Sequence, residues 1–465
     1  MRITKLHAEN VHGYLPINIE FFENLTFLTG LNGSGKTSAL RLLMALLTPN
    51  IEELGAIAYS IAVVTVVEGG KNIEVRAEKT PNGVTVGIST TEEKLTFSSA
   101  ELELFQEAKR REGPRSPIIE KYVANNVFQR IRELSTPMFL GLDRRFFIPG
   151  HALEDSEDIR RREYVARRYW PEDPSFKNTT VAAGLIDVNF LVVTRMQEIR
   201  AAQEQLDERL RAQFFAKAFE YKPSAFGHMP TGLPNRAELD TYREQLTKIE
   251  RASEGVKIPV PEIQAALTQF FEKMSQVVDS LNKPSDTQEG RRIGKKSVLK
   301  ASPKSLALEE NYIEWIVNKP QADRIVEHLK TLEEYIENRN VLRNPIARFL
   351  SLVNGFFLQT KKTVAVANNG QLTVSVVGNT TTQSITALSS GERQLLVMLA
   401  HLSLNPSLTG SGVFIVDEPE LSLHIDWQEK FVEAIEEANP DVQLILATHS
   451  PAIILDRVDA ECSLS

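Results

Sequence analysis

The pattern of apolar and polar positions divides the chain into three textures. At the start, residues 3–7 and 17–21 read as strands, and residues 25–29 read as a buried strand running into a glycine loop. Residues 37–47 follow with helical apolar spacing at Leu40, Leu43, Leu46 and Leu47. From 60 to 98 the pattern shortens to β-rich runs at 61–68, 72–79, 83–89 and 94–98. They are broken by Gly69-Gly70, by Pro81-Asn82-Gly83 and by residues 90–93. Asn82-Gly83 is a strong hairpin turn signal. An antiparallel meander attached to the first strand–helix unit is expected.

The middle of the chain is helical in pattern. Met196, Ile199, Gln203, Leu206, Leu210 and Phe214 keep close to three-four spacing. Ile263, Leu267, Phe270, Met274, Val277 and Leu281 alternate four and three without a fault, a short coiled-coil-like seam. Ile325, Leu329, Leu332 and Ile336 form a third seam, which resumes after Pro345 with Ile346, Leu350 and Val353. Such seams suit ordinary packing within one lobe as well as a protruding helical hairpin. Residues 283–305, rich in Pro, Gly, Lys and Arg, read as an exposed linker. Strand patterns return at 363–367, 372–377, 413–416 and 442–446. The expected architecture is an α/β domain split into an N-terminal half with its β meander (1–150) and a C-terminal half (346–465), with a helical insertion at 151–345 between them.

Composition narrows the class. With 42% hydrophobic and 25% charged residues over 465 positions, the chain is globular and long enough for a large core. A formal net charge of −8 argues against a generic nucleic-acid coat. The single cysteine, Cys462, excludes an internal disulfide or a cysteine-based zinc cluster and points to a reducing, cytoplasmic home. The apolar runs fall far short of the roughly 20 residues that span a bilayer, and the first residues carry no apolar signal core. No membrane role is expected.

Four motifs carry the chemistry. Gly30-Leu31-Asn32-Gly33-Ser34-Gly35-Lys36-Thr37 fits the phosphate-binding pattern G-x-x-x-x-G-K-[ST]. Its glycines let backbone N–H groups face a phosphate. Lys36 reaches the β- and γ-phosphates, the Thr37 hydroxyl serves Mg²⁺, and the helix opening at Thr37 and Ser38 adds its positive end. Val413-Phe414-Ile415-Val416-Asp417-Glu418 is a buried strand ending in two acids. Asp417 is the candidate Mg²⁺ group, and Glu418 the candidate that activates water. Ser389-Ser390-Gly391-Glu392 opens a helix with a capping box, and such an N-terminus also receives anions. A strand at 444–447 leads through Thr448 to His449, a candidate γ-phosphate sensor.

In order and spacing these motifs resemble the ABC-type ATPases, specifically the branch of SMC and Rad50 proteins, RecF and the overcoming-lysogenization-defect (OLD) family. Leu388 to Glu392 resembles the ABC signature. Asp417-Glu418-Pro419-Glu420 with Leu421-Ser422-Leu423-His424 resembles the Walker B and D-loop, and Ala447-Thr448-His449-Ser450-Pro451 resembles the switch-histidine region. The resemblance covers about 1–100 and 345–455. It implies an ABC-type head with an antiparallel β subdomain and a helical arm. It also implies ATP and Mg²⁺ as ligands, and a homo-oligomer of at least two copies that sandwich ATP. Each ATP would lie between one copy's Asn32–Ser38 loop and the other's signature. No secure Q-loop glutamine stands out, and Asp143 or Arg144 occupies the corresponding region.

Sixteen residues follow His449, too few for the Toprim nuclease domain of OLD nucleases, so any nuclease is expected on a separate chain. In layout the chain is similar to ATPase subunits of bacterial anti-phage systems, PARIS with its Toprim-type effector first and Septu with its HNH nuclease second. A phage trigger protein or DNA is the further expected partner. Arg160-Arg161-Arg162 and Arg167-Arg168, interleaved with Tyr164, Tyr169 and Trp170, are candidate contacts, as are Arg291-Arg292 and Lys295-Lys296. The competing reading is a DNA-repair ATPase of the RecF or Rad50 kind.

Overall fold

The computed structural model describes residues 1–104, 122–134, 137–141, 146–147, 180–218, 244, 260–281, 303–367, 370–378, 381–406, 408 and 412–464. The chain divides into two compact units, one made of Met1–Gln197 with Pro345–Ser465 and one of Glu198–Asn344.

The first unit is built on sheets. Strands β1 (Arg2–Val11), β2 (Leu15–Glu20), β4 (Ile61–Glu68), β5 (Lys71–Thr80), β6 (Gly83–Ile88) and β7 (Lys94–Ser98) form an antiparallel sheet in the order β2-β1-β4-β5-β6-β7. Its strands bury every second residue, as Ala62, Val64 and Val66 show, so one face meets the core and the other water. Gly83 opens β6 at φ 152°, where its missing side chain clears the Phe97 carbonyl. The expected meander is therefore present.

The second sheet is α/β in kind. β3 (Leu25–Thr29), β8 (Met138–Leu140), β9 (Phe146–Phe147), β13 (Val413–Asp417), β14 (Gln443–Ala447) and β15 (Glu461–Ser463) lie in the order β15-β3-β14-β13-β8-β9. All neighbours are parallel except β8 with β9. β3, β13 and β14 are buried at every position, as strands covered on both faces must be. Helix α1 (Lys36–Leu47) fills the space between the two sheets. Its Leu40, Leu43 and Leu46 share one core with Val64 and Val75 of the meander and with Ile415 and Ile445 of the parallel sheet. Gln443 ties the sheets by polar contacts: its amide donates to the carbonyls of Ile3 (2.7 Å) and Phe22 (2.9 Å) and accepts from Ile3 N–H (2.7 Å).

Smaller elements complete this unit. They include α2 (Ile51–Ala56), α3 (Asn126–Glu133), and a small sheet of β10 (Lys362–Val366), β11 (Leu372–Val376) and β12 (Gln383–Ser384). Fully buried Asn189, on the first part of α4 (Thr180–Ala218), accepts from Leu372 N–H at 3.3 Å.

The second unit is helical. α5 (Val260–Leu281) packs on α6 (Pro303–Phe357) through Phe271, Met274, Val277, Val278 and Leu281. The facing residues Trp315, Ala322, Leu329 and Ile336 recur at seven-residue intervals, so the seam begins a full heptad and a half before Ile325. α6 continues through Pro320 and Pro345 without ending. One correction follows at its start. Pro303 to Ser305, read as linker, are the opening residues of α6, and proline is favoured there because its missing N–H is not needed. Residues 282–302 lie outside the described residues.

The remaining helices, α7 (Ser390–Leu404), α8 (Ile425–Ala438) and α9 (Pro451–Ile454), belong to the first unit. Trp427 of α8 stacks on Phe357 at 6.0 Å between ring centres, and its indole donates to Gln359 at 2.9 Å. Among the described residues no helix is long and apolar enough to cross a membrane.

Candidate functional site

The site lies along the rim where the parallel strands end. Asp417 pairs in register with Ala447, and Ala447 with Leu28, so the residues that follow all three emerge on the same edge. After β3 the chain turns through Gly30 (φ 143°), Gly33 (φ 89°) and Gly35 (φ 91°), conformations that side chains resist. Gly30 has a second constraint. A Cβ there would run into the carbonyl of Leu464 and the Ser34 hydroxyl. Gly35 caps α1 and packs under Leu15 of β2.

Lys36 is the first residue of α1 and is 6% exposed. Its ammonium donates to the carbonyls of Gly30 (2.8 Å) and Leu31 (3.3 Å), which holds it within the loop. Burial lowers its pKa, and the charges of Glu418, Asp417 and Glu420 oppose that shift. The Ser34 hydroxyl is buried with no hydrogen-bond partner among the described residues. Asn32 and Gly33 are exposed, and Thr37 and Ser38 are half-buried.

Asp417 ends β13, and desolvation by burial raises its pKa to about 6. The Thr37 hydroxyl and Lys36 pull that value down, while Glu418 and Glu420 push it up. Both carboxylate oxygens are buried, and the Thr37 hydroxyl lies close enough to influence them without completing a hydrogen bond of ordinary geometry. A buried carboxylate left so is costly unless a cation joins it. The pair Thr37 and Asp417 therefore fits Mg²⁺, which typically takes one or two protein groups plus phosphates and water. Among the described residues no group of three or more His, Cys, Asp and Glu side chains is arranged to hold a metal unaided.

Glu418 follows at φ 48°, in a left-handed backbone conformation. Its N–H donates to Ala447 at 2.8 Å, so the sheet fixes this turn. His449 Nε2 lies 3.9 Å from Glu418 Oε1. The acidic strand and the strand leading to the histidine thus meet at their ends.

The third motif opens α7 with a complete capping box. The Ser389 hydroxyl accepts from Glu392 N–H (3.4 Å), and Ser389 N–H donates to Glu392 Oε2 (2.7 Å). Ser389 and Ser390 are exposed and Gly391 is half-buried, whereas Glu392 is 2% exposed. Its carboxylate accepts from Lys362 of β10 at 2.7 Å. Burial alone would raise its pKa, but hydrogen bonds from Lys362, Ser389 N–H and Thr360 hold it below the usual value. Glu392 thus anchors the helix start, and Ser389, Ser390 and Gly391 form the accessible part. No hydrogen bond or ion pair joins Ser389–Glu392 to the phosphate loop among the described residues.

Some contacts at the rim are not foreseen by any motif, although Glu420 itself stands in the Asp417–Glu420 run. Glu420 bonds Thr448 and His449. His12, at φ 55° on the β1–β2 turn, places Nε2 2.8 Å from the Ser38 hydroxyl. Strand β15 borders β3, where Glu461 accepts from the Thr29 hydroxyl at 2.6 Å. Asp143, Arg144 and the basic clusters at 160–168 and 291–296 lie outside the described residues.

A family profile described as "AAA domain" matches residues 5–347. A second, described as "AAA domain, putative AbiEii toxin, Type IV TA system", matches residues 279–456. The first spans well over half of the chain, which belongs to this AAA-domain family. Over 131 residues it is 31% identical to the retron Vc95 probable ATPase of Vibrio cholerae serotype O1 biovar El Tor, covering 26% of this chain and 24% of that protein. Over 143 residues it is 28% identical to the retron Ec83 probable ATPase of Escherichia coli, covering 27% of this chain and 26% of that protein. The matched segment thus spans about a quarter of the length of these curated relatives. Among solved structures, the Smc head domain with an extended coiled coil from Pyrococcus furiosus aligns over 97% of this chain and 91% of its own, at TM-score 0.37 and 13% identity. The SMC head domain from Thermotoga maritima aligns over 99% of this chain and 92% of its own, at TM-score 0.34 and 12% identity. At these scores the architecture rests on the chain's own sheets and motifs.

Proposed function

We propose that the protein binds ATP with Mg²⁺ and hydrolyses it at this rim. The phosphates lie in the Gly30–Thr37 loop, met by backbone N–H groups, the Lys36 ammonium and the N-terminal end of α1. Thr37 and Asp417 hold Mg²⁺, which when bound neutralises phosphate charge. Glu418 orients the attacking water and takes its proton, and His449 stands beside Glu418 at the γ-phosphate. The observation that carries this reading is the placement of Glu418. It follows the buried Asp417 directly at a left-handed turn, and its Oε1 lies 3.9 Å from His449 Nε2, just past the end of β14.

The reading extends to assembly. Ser389, Ser390 and Gly391 are accessible at a capped helix start and are not bonded to their own chain's phosphate loop. We assign them to the nucleotide of a second copy, so that two copies enclose two ATP molecules. The two curated relatives are probable ATPases of retrons, which supports a defence-associated role more directly than a placement with PARIS or Septu. In that role the ATP cycle governs a separate nuclease effector chain, triggered by a phage protein or DNA.

The test is single-turnover hydrolysis with nucleotide retention measured on the same sample for Glu418→Gln. The amide keeps size and hydrogen bonding and removes the base. The expected rate loss is about 10²–10⁴-fold with ATP affinity nearly unchanged. An undiminished rate would leave Glu418 as an acidic cap on a core strand.

A further inference from the structure

Glu420 sits two residues past Glu418, in the short 3₁₀ turn Pro419–Ser422. Its Oε1 accepts twice, from the Thr448 hydroxyl at 2.9 Å and from the His449 backbone N–H at 2.7 Å. One carboxylate oxygen thus fastens the loop after β14 to the loop after β13. A second tie lies beside it: the Ser450 hydroxyl donates to Gln428 Oε1 at 2.6 Å, and the Gln428 amide donates to the Leu423 carbonyl at 2.9 Å. Thr448 is fully buried, and its hydroxyl also accepts from Ser450 N–H at 3.0 Å. The other Glu420 oxygen, Oε2, is buried without a partner among the described residues. Holding a carboxylate this way costs stability. What Oε1 holds in place is the His449 backbone and the Thr448 hydroxyl before it.

Resting on the ATPase reading above, we propose that Glu420 is the positioning residue for His449. By gripping the His449 backbone it fixes where the imidazole stands relative to Glu418, and so sets the rate of the hydrolytic step without binding nucleotide. The function needs an acceptor in that place and not a charge. A displacement of about 1 Å at such a group costs on the order of 10²-fold in rate.

The test compares Glu420→Ala, Glu420→Gln and Thr448→Val by single-turnover ATP hydrolysis, with affinity for a fluorescent ATP analogue measured in parallel. Glu420→Ala is expected to slow hydrolysis about 10–100-fold with affinity within about threefold of wild type. Glu420→Gln keeps an acceptor and is expected to restore most of the rate lost in the alanine variant. Thr448→Val, close to isosteric, gives part of the same loss and guards against misfolding of the alanine variant. In a His449→Ala background Glu420→Ala should add little further loss, the non-additivity of residues acting through one another. Full additivity there, a wild-type rate for Glu420→Ala, or a Glu420→Gln rate as low as the alanine variant's would each overturn the proposal. Wild-type protein that neither binds nor hydrolyses ATP would instead overturn the ATPase reading itself.

Discussion

Asp417 and Lys36 are buried residues of opposite charge at the rim, and each predicts a measurable behaviour. Lys36→Ala removes the ammonium inside the loop and should abolish ATP binding while leaving the fold intact, which isothermal titration and circular dichroism check. Asp417 has a pKa of about 6 in the nucleotide-free protein, above the usual carboxylate value. The folded state therefore holds its proton more tightly than the unfolded chain. Its neutral form is stable below the unfolded pKa, and its ionisation costs stability as pH rises through about 6. Asp417→Asn should accordingly stabilise the nucleotide-free protein by about 1–3 kcal/mol at pH 8 and much less at pH 4, seen as a pH-dependent difference in melting temperature. The same variant should weaken Mg·ATP binding. The loop and the paired acids were legible in the sequence because each has fixed spacing and fixed residue types. The clamp made by Glu420 was not. A single acid after Pro419 has no spacing rule that separates a clamp from a solvated turn, and its partners Thr448 and His449 lie in the loop after another strand, β14.

At the scale of elements, the start of α7 depends on a contact between distant parts of the chain. The Ser389 and Glu392 capping box is visible in the sequence. The Lys362 ammonium that completes it is not, because nothing local links β10 to the helix. Lys362→Met leaves the nearly buried Glu392 carboxylate without its ion-pair partner, and losing one partner of such a pair typically costs about 3–5 kcal/mol. The carboxylate keeps its hydrogen bonds from Ser389 N–H and from Thr360, so the expected loss is at the lower end, read by chemical denaturation of the variant. Glu392→Gln in the Lys362→Met background should recover much of that loss, because no buried charge is then left unpaired. The strands with strong patterns, such as β4 and β7, appear where the pattern places them. β15 did not announce itself, since Glu461-Cys462-Ser463 has neither apolar alternation nor bounding turn residues and is a strand only because β3 offers it an edge.

At the scale of the molecule, the two compact units have separate means of holding together. In the helical unit, the α5–α6 seam buries Trp315 to 2% exposure among the α5 residues, and α4 adds contacts to α6 through Tyr335–Asp207 and the stacked pair Phe214–His328. Trp315→Ala should cost about 3–5 kcal/mol in that unit. ATP binding at the rim should survive it, which limited proteolysis and nucleotide titration on the same variant would reveal. The heptad recurrence of Trp315, Ala322, Leu329 and Ile336 was only half legible, because alanine is a weak apolar marker and the apolar spacing is plain only from Ile325 onward. The overall plan of a split α/β unit around a helical middle followed from texture alone, since strands and helices bury side chains with different periods.

The neighbours of β3 have a consequence for how the protein is made. β3 emerges from the ribosome early, and its two hydrogen-bonded neighbours, β14 and β15, follow roughly four hundred residues later. At about 5–20 residues per second, synthesis of the intervening chain takes on the order of 20 s or more. Throughout that interval Leu25–Thr29 is an apolar strand with both edges unpaired, the kind of segment that aggregates or recruits chaperones. Nascent chains stalled before β14 should therefore bind no nucleotide despite containing the entire phosphate loop, and chains stalled once β15 has cleared the exit tunnel should bind it.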